Sequence, residues 1–543
     1  MLQENLNPPS FRDRAERKLR RLWTAGIHKV TPKSAANNKR FVNAVAWCIH
    51  GEVATRVVFF NYFWRNHHEE TIKLDIQLID AKGQELWRDS KLVLQDQTLI
   101  VDSADIAKSI GLEEFEGYLA FSSTLSRVPE FIELIRFNVD YYSTSGAIST
   151  VHDQAIFAPA HPSIHHSLGK MEVVETKEIG TALIFTNSLA FHATSISARV
   201  DVKRHDGESM LIGQFVVSPR AMLRIELGKE QPDLESFLQG KSGQVIVESN
   251  FYIKRAAVLQ YSKAGLAQGF SVNHSEEYRG NPPYLTRKLS APAIQGKFGS
   301  MAPMPYFHHY YGLTTDFVVF HDVPEAGKQQ TYGISLFDES GKLVFQNENI
   351  ITVPLYGTGR VCLKNYLPGN QGMFGLAQLF LSPSPYNERW ADNFPADVHY
   401  ILGTGQWDAM YSQGSTSSLN AGEGSRTRVF SRVYYDDQFK TELVLFHAST
   451  AADEKSGVSE SSTQITICDP TGKIAITREI HLKPFATRIV NIADLFPEIK
   501  TFGLRAGSAC GIYIRDVKAK IITIHVTRNS ENSAIAVDHF YGG

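Results

Sequence analysis

Several signals that commonly reveal a protein's class are missing from this sequence of 543 residues. Its four cysteines, Cys48, Cys362, Cys468 and Cys510, have no CxxC spacing, which argues against a zinc knuckle and a disulfide framework. Their apolar neighbours favour buried thiols. No stretch reaches the roughly 18 to 20 apolar residues of a membrane-spanning helix, and the N-terminus has no apolar core of the length found in secretory signals. We therefore expect a cytoplasmic location, with signal-independent export as the alternative.

Short catalytic motifs and an excess of one charge are also missing. The sequence has no GxxxxGK[ST], no strand-linked GxGxxG, no HExxH and no GxSxG. Their absence argues against nucleotide-binding, zinc-protease and serine-hydrolase chemistry, and no cofactor is predicted. The 55 basic and 57 acidic residues leave a net charge of −2, which argues against nucleic acid as a partner bound over the whole surface.

One pattern occurs four times along the chain. Each copy contains an apolar run led by Thr, which is typical of a strand buried on both faces. The runs cover 55–60, 181–186, 315–320 and 441–446. A hairpin turn follows each run, in which Asp caps the turn and Gly supplies a positive φ. The turns contain Asp80/Gly83, Asp338/Gly341 and Asp469/Gly472, and the second copy has Asp206-Gly207, which we interpret as a tighter variant.

The repeated pattern predicts the fold and its division. Short strands, regular turns and isolated capped helical turns indicate an all-β chain of four tandem immunoglobulin-like β-sandwich repeats, after a short amphipathic N-terminal helix. The predicted boundaries are 1–38 for the N-terminal extension and 39–158, 171–276, 302–412 and 426–543 for the repeats. Four such repeats would form either a semi-rigid rod or a compact cluster.

The N-terminal helix is basic on one face. Residues 10–23 place an apolar stripe opposite a basic face that includes Arg14, Arg17 and Arg21. Such a helix packs on the first repeat, docks on a protein partner, or binds a membrane surface or nucleic acid. The sequence leaves these alternatives open.

Histidines near the end of the first repeat are candidate metal ligands. The candidates are His152, Asp153, His161, His165 and His166. Imidazoles beside a carboxylate are suitable ligands for zinc and similar divalent ions. However, a His also stands at the same place in three copies, in ISTVH, FSVNH and IAVDH. That recurrence favours a structural task repeated in each copy, such as a hydrogen bond to an adjacent turn.

An aromatic insertion in the third repeat is the candidate binding loop. It contains Tyr386, Arg389, Trp390 and Phe394 among Pro, Asn and Asp residues, as expected for a surface loop. Tyr and Trp bury large rigid areas at low entropy cost, so they suit protein interfaces and sugar stacking. The alternative is that these rings pack in the core.

These patterns favour a non-enzymatic binding, scaffold or assembly protein that acts through loops and exposed aromatics. Protein partners or self-assembly are expected, and carbohydrate is a further candidate ligand. One alternative is a metal-dependent enzyme or metal-binding protein that uses the linker histidines. Another is a peripheral membrane protein anchored by the N-terminal helix.

Overall fold

The structure is a computed structural model of the chain. It describes residues 40–62, 71–125, 135–152, 154–155, 166–187, 195–250, 256–274, 276–278, 301–321, 327–367, 369, 372–382, 396–411, 427–447, 460–519 and 521–542. The fold is nearly all β, with 62% strand and 9% helix in several antiparallel sheets, which confirms the predicted all-β class. None of the helices in the described part of the chain is long and apolar enough to cross a bilayer.

Unit 1 is the name we give to the strands between residues 40 and 155. They are β1 (Arg40–His50), β2 (Val53–Phe60), β3 (Thr71–Asp80), β4 (Glu85–Leu94), β5 (Thr98–Asp102), β6 (Phe115–Leu125), β7 (Asn138–Ser143), β8 (Ile148–His152) and β9 (Gln154–Ala155), with helix α1 (Ser103–Ile110) after β5. One sheet has the order β4-β3-β6-β1-β9 and the other β5-β2-β7-β8. Both sheets contribute to one hydrophobic core, in which the rings of Trp47 and Tyr141 lie 5.0 Å apart.

Unit 2 repeats this strand order between residues 166 and 278. Its strands are β10 (His166–Val173), β11 (Ile179–Thr186), β12 (Ile196–Lys203), β13 (Ser209–Val217), β14 (Met222–Glu226), β15 (Gly243–Ser249), β16 (Ala257–Ser262), β17 (Phe270–His274) and β18 (Glu276–Tyr278). Its helices are α2 (Leu227–Glu230), α3 (Leu234–Leu238) and a 3₁₀ helix (Leu266–Gln268). The sheets run β13-β12-β15-β10-β18 and β14-β11-β16-β17.

Unit 3 joins its strands into a single sheet. The strands are β19 (Met301–Tyr310), β20 (Leu313–Phe320), β21 (Gln329–Asp338), β22 (Leu343–Pro354), β23 (Thr358–Cys362), β24 (Met373–Leu381), β25 (Ala396–Leu402) and β26 (Trp407–Tyr411), with a 3₁₀ helix (Leu363–Asn365). The order is β22-β21-β24-β19-β20-β25-β26, and β23 also pairs with β20. The two halves join because β19 pairs with β20 at His308 and Tyr310.

Unit 4 returns to the two-sheet order of units 1 and 2. Its strands are β27 (Thr427–Tyr434), β28 (Phe439–His447), β29 (Thr463–Cys468), β30 (Ala475–Ile480), β31 (Thr487–Asn491), β32 (Ala509–Asp516), β33 (Ile521–Asn529), β34 (Ile535–His539) and β35 (Tyr541–Gly542). Helix α4 (Ile492–Leu495) and a 3₁₀ helix (Pro497–Thr501) follow β31. The sheets run β30-β29-β32-β27-β35 and β31-β28-β33-β34.

The repeated sequence features explain these elements. The Thr-led apolar runs form β2, β11, β20 and β28, and every residue of β2 is buried. Strands such as β12 alternate buried and exposed side chains, as expected where one face meets solvent. Short helices follow the fifth strand of each unit, and the side chains of Asp102 and Asn491 cap two of them by accepting backbone N–H groups at 2.9 Å.

Three of the four cysteines are buried, as predicted, and all four are free thiols. Cys362 departs from the prediction because it is only partly buried. It lies at the end of β23, where its Sγ is 3.3 Å from a carboxylate oxygen of Asp316. A polar partner therefore replaces the apolar surroundings that the sequence suggested.

The turn between the third and fourth strands has one geometry in all four units. Gly83 N–H donates to Asp80 O at 3.0 Å, and the glycine has a φ of +89°. The prediction of a tighter turn in the second copy is wrong. Gly207 N–H donates to Arg204 O at 2.9 Å with a φ of +90°, because Arg204 takes the first position of an equivalent four-residue turn.

Each of these hairpins packs against a loop of another unit. The receiving loop precedes the fifth strand and has one non-glycine residue with positive φ; these residues are Asp96, Arg220, Tyr356 and Phe485. A Cβ added to a turn glycine would meet that loop in every case: Gly83 meets Arg220, Gly207 meets Leu355, Gly341 meets Pro484 and Gly472 meets Gln95. Unit 1 thus docks on unit 2, unit 2 on unit 3, unit 3 on unit 4, and unit 4 on unit 1.

The four units therefore form a closed ring. Backbone hydrogen bonds of 3.1 Å cross three of the four hairpin joints: Met222 N–H to Ala81 O, Thr487 N–H to Glu339 O and Thr98 N–H to Pro470 O. At the centre of the ring, β8 contacts β17, β17 contacts β26, β26 contacts β34, and β34 contacts β8. These four strands, the axial strands, bring together the end of every unit.

Candidate functional site

The axial strands place corresponding residues of the four units around one centre. Strand pairing defines the correspondence, since Ser149, Ser271, Asp408 and Ala536 occupy the same position opposite β7, β16, β25 and β33. Three residues further along are His152 in β8, His274 in β17 and His539 in β34. The recurrent strand-end histidines noted in the sequence therefore converge at the axis.

Asp408 joins three other units through one buried carboxylate. Its Oδ1 accepts hydrogen bonds from the hydroxyls of Ser149 at 2.8 Å and Ser271 at 2.7 Å. Its Oδ2 accepts from Val537 N–H at 2.8 Å. Burial raises the pKa of Asp408 to about 7, although these hydrogen bonds act to lower the pKa. This carboxylic acid therefore titrates near neutral pH.

The raised pKa of Asp408 predicts a pH-dependent stability. The native state holds the proton up to about pH 7, whereas the free group titrates near 3.8, so the contribution is complete below pH 3.8 and is lost as the pH rises to about 7. Urea unfolding of the wild type should show this fall, with a limiting slope of about 1.4 kcal/mol per pH unit. Asp408→Asn should remove it. Ser149→Ala removes a bond that lowers the native pKa, so the fall should still begin near pH 3.8 but extend to higher pH and become larger; an unchanged profile in Asp408→Asn would contradict the assignment.

A cluster of histidines and one carboxylate lies next to this centre. The ring centre of His152 is 4.2 Å from that of His274 and 4.4 Å from that of His539. The Asp538 carboxylate contacts two of these imidazoles. Its Oδ2 lies 3.5 Å from Nδ1 of His152 in β8, and its Oδ1 lies 3.0 Å from Nδ1 of His539, the next residue in β34. All four residues are buried.

A second polar cluster joins unit 2 to unit 3. The Glu172 carboxylate lies 2.6 Å from Arg360 and 2.7 Å from His399 Nε2. Burial would raise the pKa of Glu172, but Arg360 and His399 hold that pKa well below its ordinary value. A small cavity beside this cluster is lined by Glu172, His399 and His274, so it connects the cluster with the axial histidines.

The third polar cluster joins unit 4 to unit 1. Arg432 is fully buried and forms an ion pair with Asp140 across the joint. The hydroxyl of Tyr434 donates to Asp140 at 2.6 Å, and Arg432 also donates to Thr150 at 2.9 Å. Burial and the neighbouring Arg432 hold the pKa of His525 well below its ordinary value, so that imidazole is neutral. The Arg432 cation and the Asp140 carboxylate therefore compensate each other's charge at this joint.

The structure describes few of the residues proposed from sequence. Tyr386, Arg389, Trp390 and Phe394 of the binding loop lie outside the described residues, as do Arg14, Arg17 and Arg21 of the N-terminal helix. Among the metal candidates, Asp153, His161 and His165 also lie outside them, and His166 is described only as a backbone position in β10. His152 is the candidate whose surroundings the structure describes.

Sequence reasoning missed the partners of His152. It chose neighbours along the chain, whereas Asp538 and His539 approach His152 from unit 4. The recurrence of ISTVH, FSVNH and IAVDH was the signal that could have grouped His152 with His274 and His539. Asp408, Asp140, Arg432 and Glu172 carried no comparable local pattern.

Neither a protein-family model nor a curated protein matches this sequence. The chemistry of the axis therefore follows from its own geometry. That geometry offers buried polar contacts that join all four units, and a group of nitrogen and oxygen donors close enough to share a cation.

Proposed function

We propose that this chain is a non-enzymatic scaffold or assembly protein built from four immunoglobulin-like β-sandwich repeats closed into a ring. The repeated two-sheet strand order of units 1, 2 and 4 supports the sandwich assignment, with unit 3 as a variant whose sheets have merged. The repeat boundaries 39–158, 171–276, 302–412 and 426–543 are part of this proposal.

The closed set of hairpin joints is the observation that carries the proposal. Every turn glycine packs on the following unit, and the last unit packs on the first. The partly buried ion pair Glu172–Arg360 and the fully buried ion pair Asp140–Arg432 add charged contacts between units. In the described part of the chain, these buried groups hold units together, which suits a rigid platform better than a catalytic cleft.

A scaffold needs surfaces for partners, and the outer edge strands supply one kind of surface. Among the described residues, β4, β13, β22 and β30 each end a sheet without a further strand beside them. Strand β13 has no charged residue between Ser209 and Val217, and it exposes Leu211 and Val216. Natural edge strands usually carry charges that block pairing with another chain, and β13 lacks them. A bulge beside Leu211 and a hydrogen bond from Gln231 to Leu211 O place the part of β13 suited to strand addition at Gly213 to Val217.

We expect a second copy of the chain to occupy this edge. A strand without charges pairs with itself in antiparallel fashion without like-charge contacts, so two β13 edges can join around a twofold axis. Protein partners other than a second copy are an outcome of the test. The loop that carries Tyr386, Arg389, Trp390 and Phe394 is the proposed second contact of the scaffold.

Light scattering across a concentration series tests self-assembly through β13. The wild type should change from monomer to dimer as concentration rises, and the double variant Leu211→Lys/Val216→Lys should stay monomeric. Leu92→Lys/Leu94→Lys on β4 is the matched control, because that edge already carries Arg88 and Lys91, and it should dimerise like the wild type. A wild type that remains a monomer at every concentration would count against self-assembly.

A further inference from the structure

The axial cluster has the donor set and spacing of a metal site. His152, Asp538 and His539 each offer one ligand atom, and these atoms lie within 4.8 Å of one another. In tetrahedral zinc sites with bonds of about 2.0 to 2.1 Å, adjacent ligand atoms are about 3.3 Å apart. Asp538 Oδ2 lies 3.5 Å from His152 Nδ1 and Asp538 Oδ1 lies 3.0 Å from His539 Nδ1, so each imidazole has a different oxygen of the carboxylate at about that distance.

Charge provides a second, independent argument. Asp538 is only 3% exposed, and a compensating positive charge stabilises a buried carboxylate in its ionised form. Its two ion-pair partners in the described residues are imidazoles, which carry positive charge only when protonated. A divalent cation between them would compensate Asp538 while both imidazoles remain neutral ligands.

We propose that His152, Asp538 and His539 bind a divalent transition-metal ion of the Zn²⁺ class. The two imidazoles and one carboxylate come from β8 of unit 1 and β34 of unit 4, so the ion fixes the contact that closes the ring. His274 of unit 2 packs against His152 and positions its ring. Three protein ligands leave the fourth tetrahedral position to a water molecule, and the burial of the ligands means that the ion is loaded during folding.

The experiment uses the full chain, unfolded in denaturant with a chelator and refolded with or without Zn²⁺ or Co²⁺. We expect one ion per chain by elemental analysis, a higher melting temperature with Zn²⁺, and the intense visible bands of tetrahedral Co²⁺. His152→Gln and Asp538→Asn should each weaken Zn²⁺ binding at least about tenfold, since even residues that only support metal ligands have effects of this size.

A matched control separates coordination from general damage. His308→Gln removes another buried histidine, which contacts Gly369 O in unit 3, and it should bind Zn²⁺ like the wild type. Metal affinity in His152→Gln equal to that of the wild type would overturn the proposal. If the ligand variants do not refold, the wild type alone tests the proposal. The absence of bound Zn²⁺ and of Co²⁺ bands in the refolded wild type would overturn the proposal. Self-assembly through β13 is measured separately, so either proposal can fail without the other.

Discussion

Replacing Arg432 by methionine should lower the free energy of unfolding by about 3 to 5 kcal/mol, because the change leaves the Asp140 carboxylate buried without its cation. Arg432 is fully buried, and it donates to Asp140, Thr150 and Thr527 at the joint between unit 4 and unit 1. Urea unfolding of the full chain measures the loss. If the joint between unit 4 and unit 1 loosens, a protease should cleave unit 1 or unit 4 of the variant faster than in the wild type.

Two further variants show whether the buried ion pair accounts for the stability lost in Arg432→Met. Arg478→Met removes an ion pair with Glu498 whose side chains are 40% and 37% exposed, so it should cost less than about 1 kcal/mol. The double variant Asp140→Leu/Arg432→Met removes both charges and should recover part of the stability lost in Arg432→Met. If Arg432→Met cost no more than Arg478→Met, the buried pair would not hold this joint.

Replacing Gly472 by alanine should destabilise the protein by about 2 to 4 kcal/mol, through backbone strain and overpacking together. The glycine has a φ of +74°, and an added Cβ would lie 2.2 Å from Gln95 O and 2.7 Å from Gln97 N. These backbone atoms cannot move away as a flexible side chain could. The joint that closes the ring should therefore loosen, and hydrogen exchange at Thr98 N–H, which donates to Pro470 O, should speed up.

Gly405 provides the control for backbone strain. It also has a positive φ, +89°, in the hairpin between β25 and β26, but an added Cβ would meet nothing within 4 Å. Gly405→Ala should therefore cost only about 1 to 2 kcal/mol and should leave exchange at Thr98 unchanged. Equal losses in the two variants would show that the contact with unit 1 contributes little.

Local patterns in the sequence predict local structure well. The Thr-led apolar runs form central strands, and two of the predicted helical turns have side-chain caps, at Asp102 and Asn491. These features depend on residues a few positions apart, so periodicity and turn chemistry are sufficient to find them. The second hairpin differs from its predicted form because Asp206 lies at the third position of the turn, where the other copies have Lys, Ser or Thr.

Contacts between units follow from no local pattern. Nothing near Gly472 indicates that Gln95 will lie against it, since the two residues belong to opposite ends of the described chain. The metal candidates show the same limit, because His152 was grouped with its neighbours along the chain instead of with Asp538 and His539. Ring closure brings these residues together, and only the three-dimensional arrangement reveals them.

The four units have different residues at one axial position, and this difference limits how similar their sequences can be. Asp408 accepts hydrogen bonds from Ser149, Ser271 and Val537, and the fourth equivalent residue is Ala536. Four aspartates there would crowd like charges into a buried space. An artificial ring of four identical repeats would therefore need a residue that both donates and accepts, such as serine, in every copy. Because the four units differ at this position, the Asp408 carboxylate alone accepts hydrogen bonds from the other three units. Four identical units could not form this set of hydrogen bonds.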